Sequence, residues 1–356
     1  MPDRLKQNEK KFIIKNGQPY LGTSTMKKVA VVILNLNGKH WLEKFLPSVT
    51  QYNDDDLSDI IIVDNASTDN SLSFLKNNYP QLKTIIFNEN YGFTGGYNKA
   101  LLNLNGYEYF VLLNSDIEVT ENWLKPIMNL MDSNKNIVAC QPKILSYNNK
   151  EYFEYAGAAG GFIDYLGYPF CRGRIFDTLE KDEGQYNDAQ QVFWASGACM
   201  FVRANIYKKM NGLDEHFFAH MEEIDLCWRM QNEGYEIWVQ PQSTVYHVGG
   251  GTLNSDSPRK TYLNFRNNLL MMLKNVDLFK VYPLLFMRMV LDGLAGIKFL
   301  TQGKFSHCFA IVKAHFSFYK MQFKYLKNRN RQKSVETIIK QSIVFNYFID
   351  GKKKFS

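Results

Sequence analysis

Cysteine is scarce in this sequence and shows no pairing pattern. The 356 residues include five cysteines, an odd number, and no two of them form a Cys-x-x-Cys motif. Scattered cysteines argue against a disulfide framework and against a cysteine-ligated zinc site. We therefore expect a protein of a reducing compartment.

Other common signals are also missing. Residues 1–25 are polar without a continuous apolar core, so they do not read as a secretory signal peptide, and we expect an extension that adds little to the fold. The sequence has no internal repeat and no low-complexity segment. Its glycines at 92, 95 and 96 do not fit the dinucleotide-binding fingerprint, and no Gly-Lys-Ser/Thr of a Walker A loop follows them.

Acidic residues are rare near the end of the chain. The net charge is +7, but residues 276–356 hold 15 Lys+Arg against 4 Asp+Glu, which leaves the remainder slightly acidic. This distribution argues against nucleic-acid binding by the main body. Basic and aromatic residues alternate over 311–331, which suits an anionic membrane surface; packing on the body is the alternative. Residues 281–300 contain three charges and make a poor bilayer span.

The first part of the chain alternates apolar runs with helical stretches. Runs such as "VAVVILN", "DIIIVD" and "YFVLLN" are almost continuously apolar, and amphipathic segments separate them. This alternation predicts an α/β fold with a mainly parallel sheet covered by helices on both faces. The strands end in Asn or Asp, and ligands of open α/β sheets bind beyond the carboxyl ends of the strands. We therefore expect one polar crevice there.

Several residues near these strand ends are candidates for binding a nucleotide. Asp64 stands at a strand tip, where its carboxylate could accept hydrogen bonds from a base or a ribose, whereas Ser67 or Asp69 could simply cap the next helix. Glycines before a helix allow close approach of a ligand to the backbone. The expected nucleotide-binding residues are Asn35, Asn37, Asp64, Asn65, Ser67, Gly92, Gly95, Gly96, Asn98, Asn114 and Ser115.

Two further groups could supply chemistry. Asp116, in "LLNSD", could bind Mg²⁺ or Mn²⁺ together with diphosphate oxygens, or close an Asx turn. His247, in "VYHVGG", could be a turn residue or a further metal ligand. In "HMEEIDLCWR", either Glu222 or Glu223 could act as a general base, whereas Asp225 and Arg229 have the spacing of a helical ion pair.

The ordered set of motifs resembles family 2 glycosyltransferases with the GT-A fold. The matching pieces are "VVILNLNG", "IIIVDNASTDNS", "NENYGFTGGYNKAL", "VLLNSDIEV", "FWASGACMFVR", "GLDEHFFAHMEEIDLCWR" and "VYHVGGGT". They span roughly residues 28–275, and the "LLNSD" form resembles the rhamnosyltransferase-like branch.

The resemblance implies roles for individual residues. Asp64 would contact the nucleotide base, Asp116 and His247 would bind a divalent metal, and Glu223, with Glu222 as the second choice, would be the catalytic base. Asp225 is the third catalytic candidate. The resemblance places the acceptor beside Trp194, Ser196 and Gly197.

The expected function is an inverting, Mn²⁺- or Mg²⁺-dependent glycosyltransferase of cell-surface polysaccharide synthesis. It would move a sugar from a UDP- or dTDP-sugar donor to a glycan or a lipid-linked glycan. The alternative is a catalytically inactive, membrane-associated glycan-binding or scaffold protein. We expect an N-terminal extension (1–25), a GT-A domain (26–275) and a basic helical tail (276–356), at the cytoplasmic face of the cell membrane, with a homodimer as a further partner state.

Overall fold

The computed structural model describes residues 13–15, 18–20, 27–249, 257–327, 329 and 335–355. Most of the predicted extension over 1–25, the last glycines of "VYHVGGGT" and Arg331 of the basic segment lie outside these residues. Within the extension, β1 (Ile13–Lys15) and β2 (Gln18–Tyr20) pair as an antiparallel hairpin.

A mixed, mainly parallel sheet forms the centre of the fold, as the apolar runs predict. Its strand order is β13-β15-β8-β14-β6-β3-β4-β5, and β7 pairs with the C-terminal end of β15. The neighbours β5, β4, β3 and β6 are parallel, and β14 is antiparallel to both β6 and β8. The strands are β3 (Val29–Asn35), β4 (Ser58–Asp64), β5 (Lys83–Ile86), β6 (Tyr109–Asn114), β7 (Ile117–Val119), β8 (Ile137–Ser146), β13 (Gln190–Val192), β14 (Cys199–Arg203) and β15 (Glu236–His247).

Helices cover both faces of this sheet because its strands are apolar on both sides. Alternate residues of β3 show the division: Val31 packs with the helices α1 and α4, whereas Val32 packs with α3. The helices of the body are α1 (Lys39–Gln51), α2 (Ser71–Asn78), α3 (Gly92–Leu101), α4 (Lys125–Ser133), α5 (Ala204–Lys209), α6 (Glu222–Asn232) and α7 (Pro258–Asn275), with a 3₁₀ turn at Glu215–Phe217.

The glycine- and aromatic-rich middle of the chain forms a second, five-stranded sheet of order β12-β11-β10-β9-β16. Its last strand comes from the end of the chain: Ile338 pairs in parallel with Ile163. The strands are β9 (Gly161–Asp164), β10 (Pro169–Cys171), β11 (Arg174–Ile175), β12 (Thr178–Leu179) and β16 (Ile338–Ile339).

The C-terminal region packs against the body. It contains α8 (Leu278–Thr301), α9 (Phe305–Lys327) and α10 (Ile343–Phe348). Tyr186 donates a hydrogen bond to the backbone oxygen of Phe355 at 3.0 Å, and Phe318 of α9 belongs to the main core. The predicted tail is therefore helical but also supplies a strand and core residues. The five cysteines are free thiols.

Candidate active site

A cleft of about 320 Å³ opens beyond the carboxyl ends of β3, β4 and β6. This is the predicted crevice, and several of the predicted strand-end residues line it. The residues around it are Leu34, Leu36, Asn37, Gly38, His40, Trp41, Asn65, Asn90, Gly92, Phe93, Asn114, Ser115, Asp116, Phe218, Ala219 and Arg259. A cleft of this size, with amides, a carboxylate, an arginine and aromatic rings, is suited to a small polar ligand with a ring system.

Hydrogen bonds join the loops after β3 and β4 at the base of the cleft. The Asn35 amide donates to Asp64 Oδ2 at 3.0 Å and to Ser67 Oγ at 3.1 Å, and the Ser67 backbone N–H donates to Asp64 Oδ1 at 2.9 Å. Asp64 has no exposed surface. Asn35 and Asp64 are buried and Ser67 is half-buried, and direct contact of these three residues with a nucleotide stays a prediction. These residues hold Asn37 and Asn65 at the cleft wall.

The glycine-rich segment divides into one cleft residue and a packing surface. Gly92, at φ +70°, lies against Phe218, and a Cβ there would come within 2.7 Å of the ring. Asn65 anchors this turn by donating to the Gly92 oxygen at 2.9 Å.

The other three predicted residues of the segment have structural roles. A Cβ on Gly96 would meet Leu34 at 2.8 Å, Gly95 is buried inside α3, and Asn98 donates to the Leu213 oxygen at 2.8 Å. Gly95, Gly96 and Asn98 do not line the cleft. Tight packing accounts for the two glycines, and a buried hydrogen bond from its side-chain amide accounts for Asn98.

Asp116 and His247 meet at one wall of the cleft, as the resemblance implies. β7 and β15 pair there, and His247 Nε2 lies 3.2 Å from Asp116 Oδ1. The other ring nitrogen, Nδ1, lies 3.3 Å from Glu154 Oε2 without the alignment of a hydrogen bond. Burial disfavours the imidazolium, but the carboxylates of Asp116 and Glu154 outweigh it and raise the pKa of His247 to about 10.

This donor set fits a divalent cation whose shell a substrate completes. Asp116 supplies a carboxylate and His247 an imidazole, which binds metal after losing its proton. Across the described part of the chain, no three His, Cys, Asp or Glu side chains are arranged to hold a metal by themselves. Mg²⁺ and Mn²⁺ sites with one or two protein ligands rely on phosphate oxygens for the remainder.

Glu222 and Glu223 begin α6, and each has a buried Oε2 without a hydrogen-bond partner among the residues that the structure describes. Burial raises the pKa of both carboxyls, to about 7 for Glu223 and well above its usual range for Glu222, which also feels the Glu223 charge. Gly197 lies between Glu223 and Phe93 of the cleft: a Cβ on it would be 3.6 Å from Glu223 Cβ and 3.8 Å from the Phe93 ring. Glu223 is half-buried, whereas Glu222 is buried, which favours Glu223 as the carboxyl that a substrate can reach.

The loop before α6 is strained and firmly held. Phe218, His220 and Met221 all have left-handed φ values, between 67° and 71°, which cost about 1–3 kcal/mol each in non-glycine residues and concentrate at functional sites. The fully buried Asn267 of α7 holds the loop by donating to the backbone oxygens of Phe217, Ala219 and His220 at 2.8–3.0 Å.

Comparison with known proteins identifies this arrangement. Residues 30–210 match the family model described as glycosyl transferase family 2. The chain belongs to glycosyl transferase family 2. It is therefore an enzyme of the glycosyltransferase class, and the alternative of an inactive binding protein is set aside.

This family 2 glycosyltransferase is similar in sequence to two proteins with different names. The low-salt glycan biosynthesis hexosyltransferase Agl10 of Haloferax volcanii is 21% identical over 246 residues, covering 68% of this chain and 74% of that protein. The N-acetylglucosaminyl-diphospho-decaprenol L-rhamnosyltransferase of Mycobacterium tuberculosis is 24% identical over 224 residues, covering 59% and 72%. The resemblance to the rhamnosyltransferase-like branch is confirmed.

A solved structure supports the fold. The crystal structure of GalNAc-T7 with UDP, GalNAc and Mn²⁺ superimposes with a TM-score of 0.56 at 15% identity, covering 72% of this chain. This chain spans about half of that protein, 49% of its length. The expected GT-A class, with an additional helical C-terminal region, is confirmed.

Asp225 belongs to a buried ion-pair network and not to the catalytic carboxylates. Its Oδ2 accepts hydrogen bonds from Arg229 and Lys274, both at 2.8 Å, and its Oδ1 accepts one from Asn275 at 2.8 Å. These contacts favour the helical ion pair suggested by the sequence, extended by two residues of α7. They correct the catalytic role expected for Asp225.

Two of the three expected acceptor-site residues are buried in the protein interior. Trp194 is buried and donates from its indole to the Phe162 oxygen at 2.9 Å. Ser196 is buried and donates to the Ala156 oxygen. This corrects the expectation of acceptor contact by Trp194 and Ser196, whereas Gly197 faces Glu223 as described above.

Several cleft residues have no clear signal in the sequence. Trp41, Phe218 and Arg259 line the cleft, yet they come from α1, from the strained loop and from the first turn of α7. Glu154 and Asn267 also approach the site only through tertiary contacts. No strand-end or spacing pattern marks these residues.

Proposed function

We propose that this family 2 glycosyltransferase transfers a sugar from a nucleoside-diphosphate donor to a hydroxyl group of a glycan or lipid-linked glycan, with inversion of the anomeric configuration. The observation that carries the proposal is the contact between Asp116 and His247 at the cleft, together with the Glu223 side chain that Gly197 places beside the cleft residue Phe93. We assign the nucleotide to the cleft walls at Asn37, Asn65 and the Gly92 turn.

The residues of the chain divide the reaction between them. Glu223, as the carboxylate, removes the proton of the acceptor hydroxyl while that oxygen attacks the anomeric carbon. The bond from the anomeric carbon to the donor phosphate oxygen breaks in the same displacement, and the nucleoside diphosphate leaves with the electron pair. A carboxyl with a pKa of about 7 is well matched to this role at neutral pH. Its Oε2 has no hydrogen-bond partner among the described residues, and we assign it to the acceptor hydroxyl.

A divalent cation held by Asp116 and His247 would supply charge neutralisation for the leaving diphosphate. Mn²⁺ and Mg²⁺ both suit this donor set, and the GalNAc-T7 structure contains Mn²⁺. We propose UDP- or dTDP-sugars as donors. The rhamnosyl transfer named for the mycobacterial relative supports dTDP-rhamnose as one of them and a lipid-linked glycan as the acceptor.

Calorimetric titration with UDP, dTDP and GDP, each with Mn²⁺, Mg²⁺ or chelator, tests the proposal. We expect binding of UDP or dTDP that requires the metal and weakens at least tenfold in Asp116→Ala. Asp56→Ala, an exposed aspartate before β4, is the matched control and should bind like the wild type. Metal-independent binding, or equal binding by Asp116→Ala, would overturn the cation site. NMR of the glycosidic product then tests inversion.

The place of the enzyme in the cell completes the proposal. No helix in the described residues is long and apolar enough to cross a bilayer. We propose peripheral association with the inner face of the cell membrane, where a lipid-linked acceptor would be presented, and a homodimer as a second state that light scattering can test.

A further inference from the structure

Helix α8 carries an apolar stripe on its outer surface. Phe279, Phe286, Val290, Leu294 and Ile297 repeat every three, four or seven residues and lie on one side of the helix. Their side chains are 47–92% exposed. A stripe of this kind normally faces a protein core, so its exposure here requires an explanation.

Two charged residues of α8 lie on the opposite side of the helix and point into the protein. Arg288 donates to Asp292 at 2.9 Å and to the Asn268 oxygen of α7 at 2.7 Å, and both charged residues are at most 5% exposed. His315 of α9 lies 3.1 Å from the second oxygen of Asp292. Two of the three charges that make residues 281–300 a poor bilayer span, Arg288 and Asp292, are thus paired inside the protein, whereas Lys298 is exposed near the end of α8.

Helix α9 continues this apolar surface. Its exposed residues repeat with spacings of four and three, and their side chains are 45–70% exposed; they are Phe305, Phe309, Val312, Phe316, Tyr319 and Phe323. The Tyr319 hydroxyl donates to Met289 Sδ of α8 at 3.3 Å, so the two stripes adjoin. We call the two stripes together the α8–α9 face.

The exposed charges within helices α8 and α9 have one sign, and the exposed Asp277 caps the start of α8. Between Leu278 and Lys327, all described by the structure, the only acidic residue is the buried Asp292, whereas seven lysines are present. The lysines at 280, 298, 313, 320, 324 and 327 are exposed. Apolar side chains bordered by lysines match the boundary between headgroups and acyl chains of an anionic bilayer, where lysines are attracted to the lipid phosphates.

We propose that the α8–α9 face docks on an anionic lipid bilayer, with its phenylalanines inserted among the acyl chains and its lysines against the lipid phosphates. The inference rests on the peripheral association proposed above and specifies the surface responsible for it. It does not depend on sugar transfer, because none of these residues lines the cleft.

Cosedimentation with vesicles tests this surface. We expect the wild type to pellet with vesicles of 30% phosphatidylglycerol in phosphatidylcholine, and far less with pure phosphatidylcholine or at high salt. Phe286→Ser/Phe309→Ser should lower the partition coefficient at least tenfold, because these exposed rings contribute little to the core. Ile86→Ser, which changes an exposed apolar residue of β5, is the matched control and should stay within twofold.

The lysines are tested separately. Lys320→Glu/Lys327→Glu should weaken binding to the anionic vesicles about tenfold, whereas Lys76→Glu on the exposed surface of α2 should not. Nucleotide binding by every variant should equal that of the wild type. A wild type that binds anionic vesicles but binds no nucleotide would count against the proposed sugar transfer alone.

Three results would overturn the docking surface. The first is a wild type that stays in the supernatant with anionic vesicles at low salt. The second is a Phe286→Ser/Phe309→Ser variant that pellets as much as the wild type. The third is a wild type that binds no vesicles but forms a dimer that the same variant abolishes. The last result would assign the α8–α9 face to a second copy of the chain.

Discussion

Replacement of Glu223 by Gln should inactivate the enzyme and, at high pH, stabilise it. The pKa of Glu223 rises on folding from an ordinary 4.5 to about 7, mainly because burial disfavours the charged carboxylate. The folded protein therefore holds this proton more tightly than the unfolded chain does. Its contribution to stability is complete below pH 4.5, declines as the pH rises, and is lost above pH 7.

The size of this effect follows from the pKa values. A change from 4.5 to about 7 corresponds to roughly 3 kcal/mol in the free energy of unfolding between pH 4 and pH 8, at about 1.4 kcal/mol per pH unit. Glutamine carries no charge at either pH. We therefore compare the free energy of unfolding of Glu223→Gln with that of the wild type at each pH. The difference should favour the variant by about 3 kcal/mol more at pH 8 than at pH 4. The difference between the two pH values cancels any packing cost of the amide.

Two assays check this reasoning. Denaturant unfolding of both proteins at pH 4 and pH 8 measures the difference, and Glu121→Gln, at an exposed position, should show none. In the transfer assay, the kcat/KM of the wild type should fall about tenfold per pH unit below pH 7, as the base becomes protonated. A Glu223→Gln variant that retains activity, or that shows no pH-dependent gain in stability, would refute the assignment of Glu223 as the buried base.

Two packing features give further predictions. Gly92→Ala should weaken nucleotide binding at least tenfold by displacing the Phe218 ring, whereas Gly303→Ala, at a similar φ of +72° but with open space around it, should bind normally in the same calorimetric assay; equal effects would assign the loss to backbone strain alone. Arg288→Ala should cost about 3–5 kcal/mol in the free energy of unfolding, because it removes the arginine that pairs with the buried carboxylate of Asp292. Lys39→Ala, which breaks an exposed pair of the same helical spacing, should cost less than about 1 kcal/mol in the same denaturant titration.

Much of the sheet and the position of the cleft could be predicted from the sequence, because both depend on local patterns. Apolar runs ending in Asn or Asp correspond to β3, β4 and β6, and parallel pairing brings their ends to one edge. The expected meeting of Asp116 and His247 needed the family motifs, since 131 positions separate them. It is realised where β15 pairs with β7.

The errors at the site share a physical cause. Ser196 and Trp194 lie in the right motifs but point into the protein, where backbone oxygens accept the hydrogen bonds that their side chains donate. A sequence motif locates a residue along the chain, but the direction of its side chain depends on the packing around it. Asp225 shows the same limit, because two of its partners come from α7, about 50 residues further along.

The sequence by itself determined the fold class, the strand-end crevice, the family and the uneven charge, because these depend on periodicity, composition and the order of motifs. The tertiary structure alone decided which carboxylates remain available. Long-range packing buries Asp64 and Asp225 among partners and leaves Glu222 and Glu223 with unpartnered oxygens. It also decided that Arg288 and Asp292 of α8 turn inward while Phe279 and Phe286 face outward, because Arg288 donates to Asn268 of α7 and Asp292 contacts His315 of α9. Local sequence carries no record of such contacts.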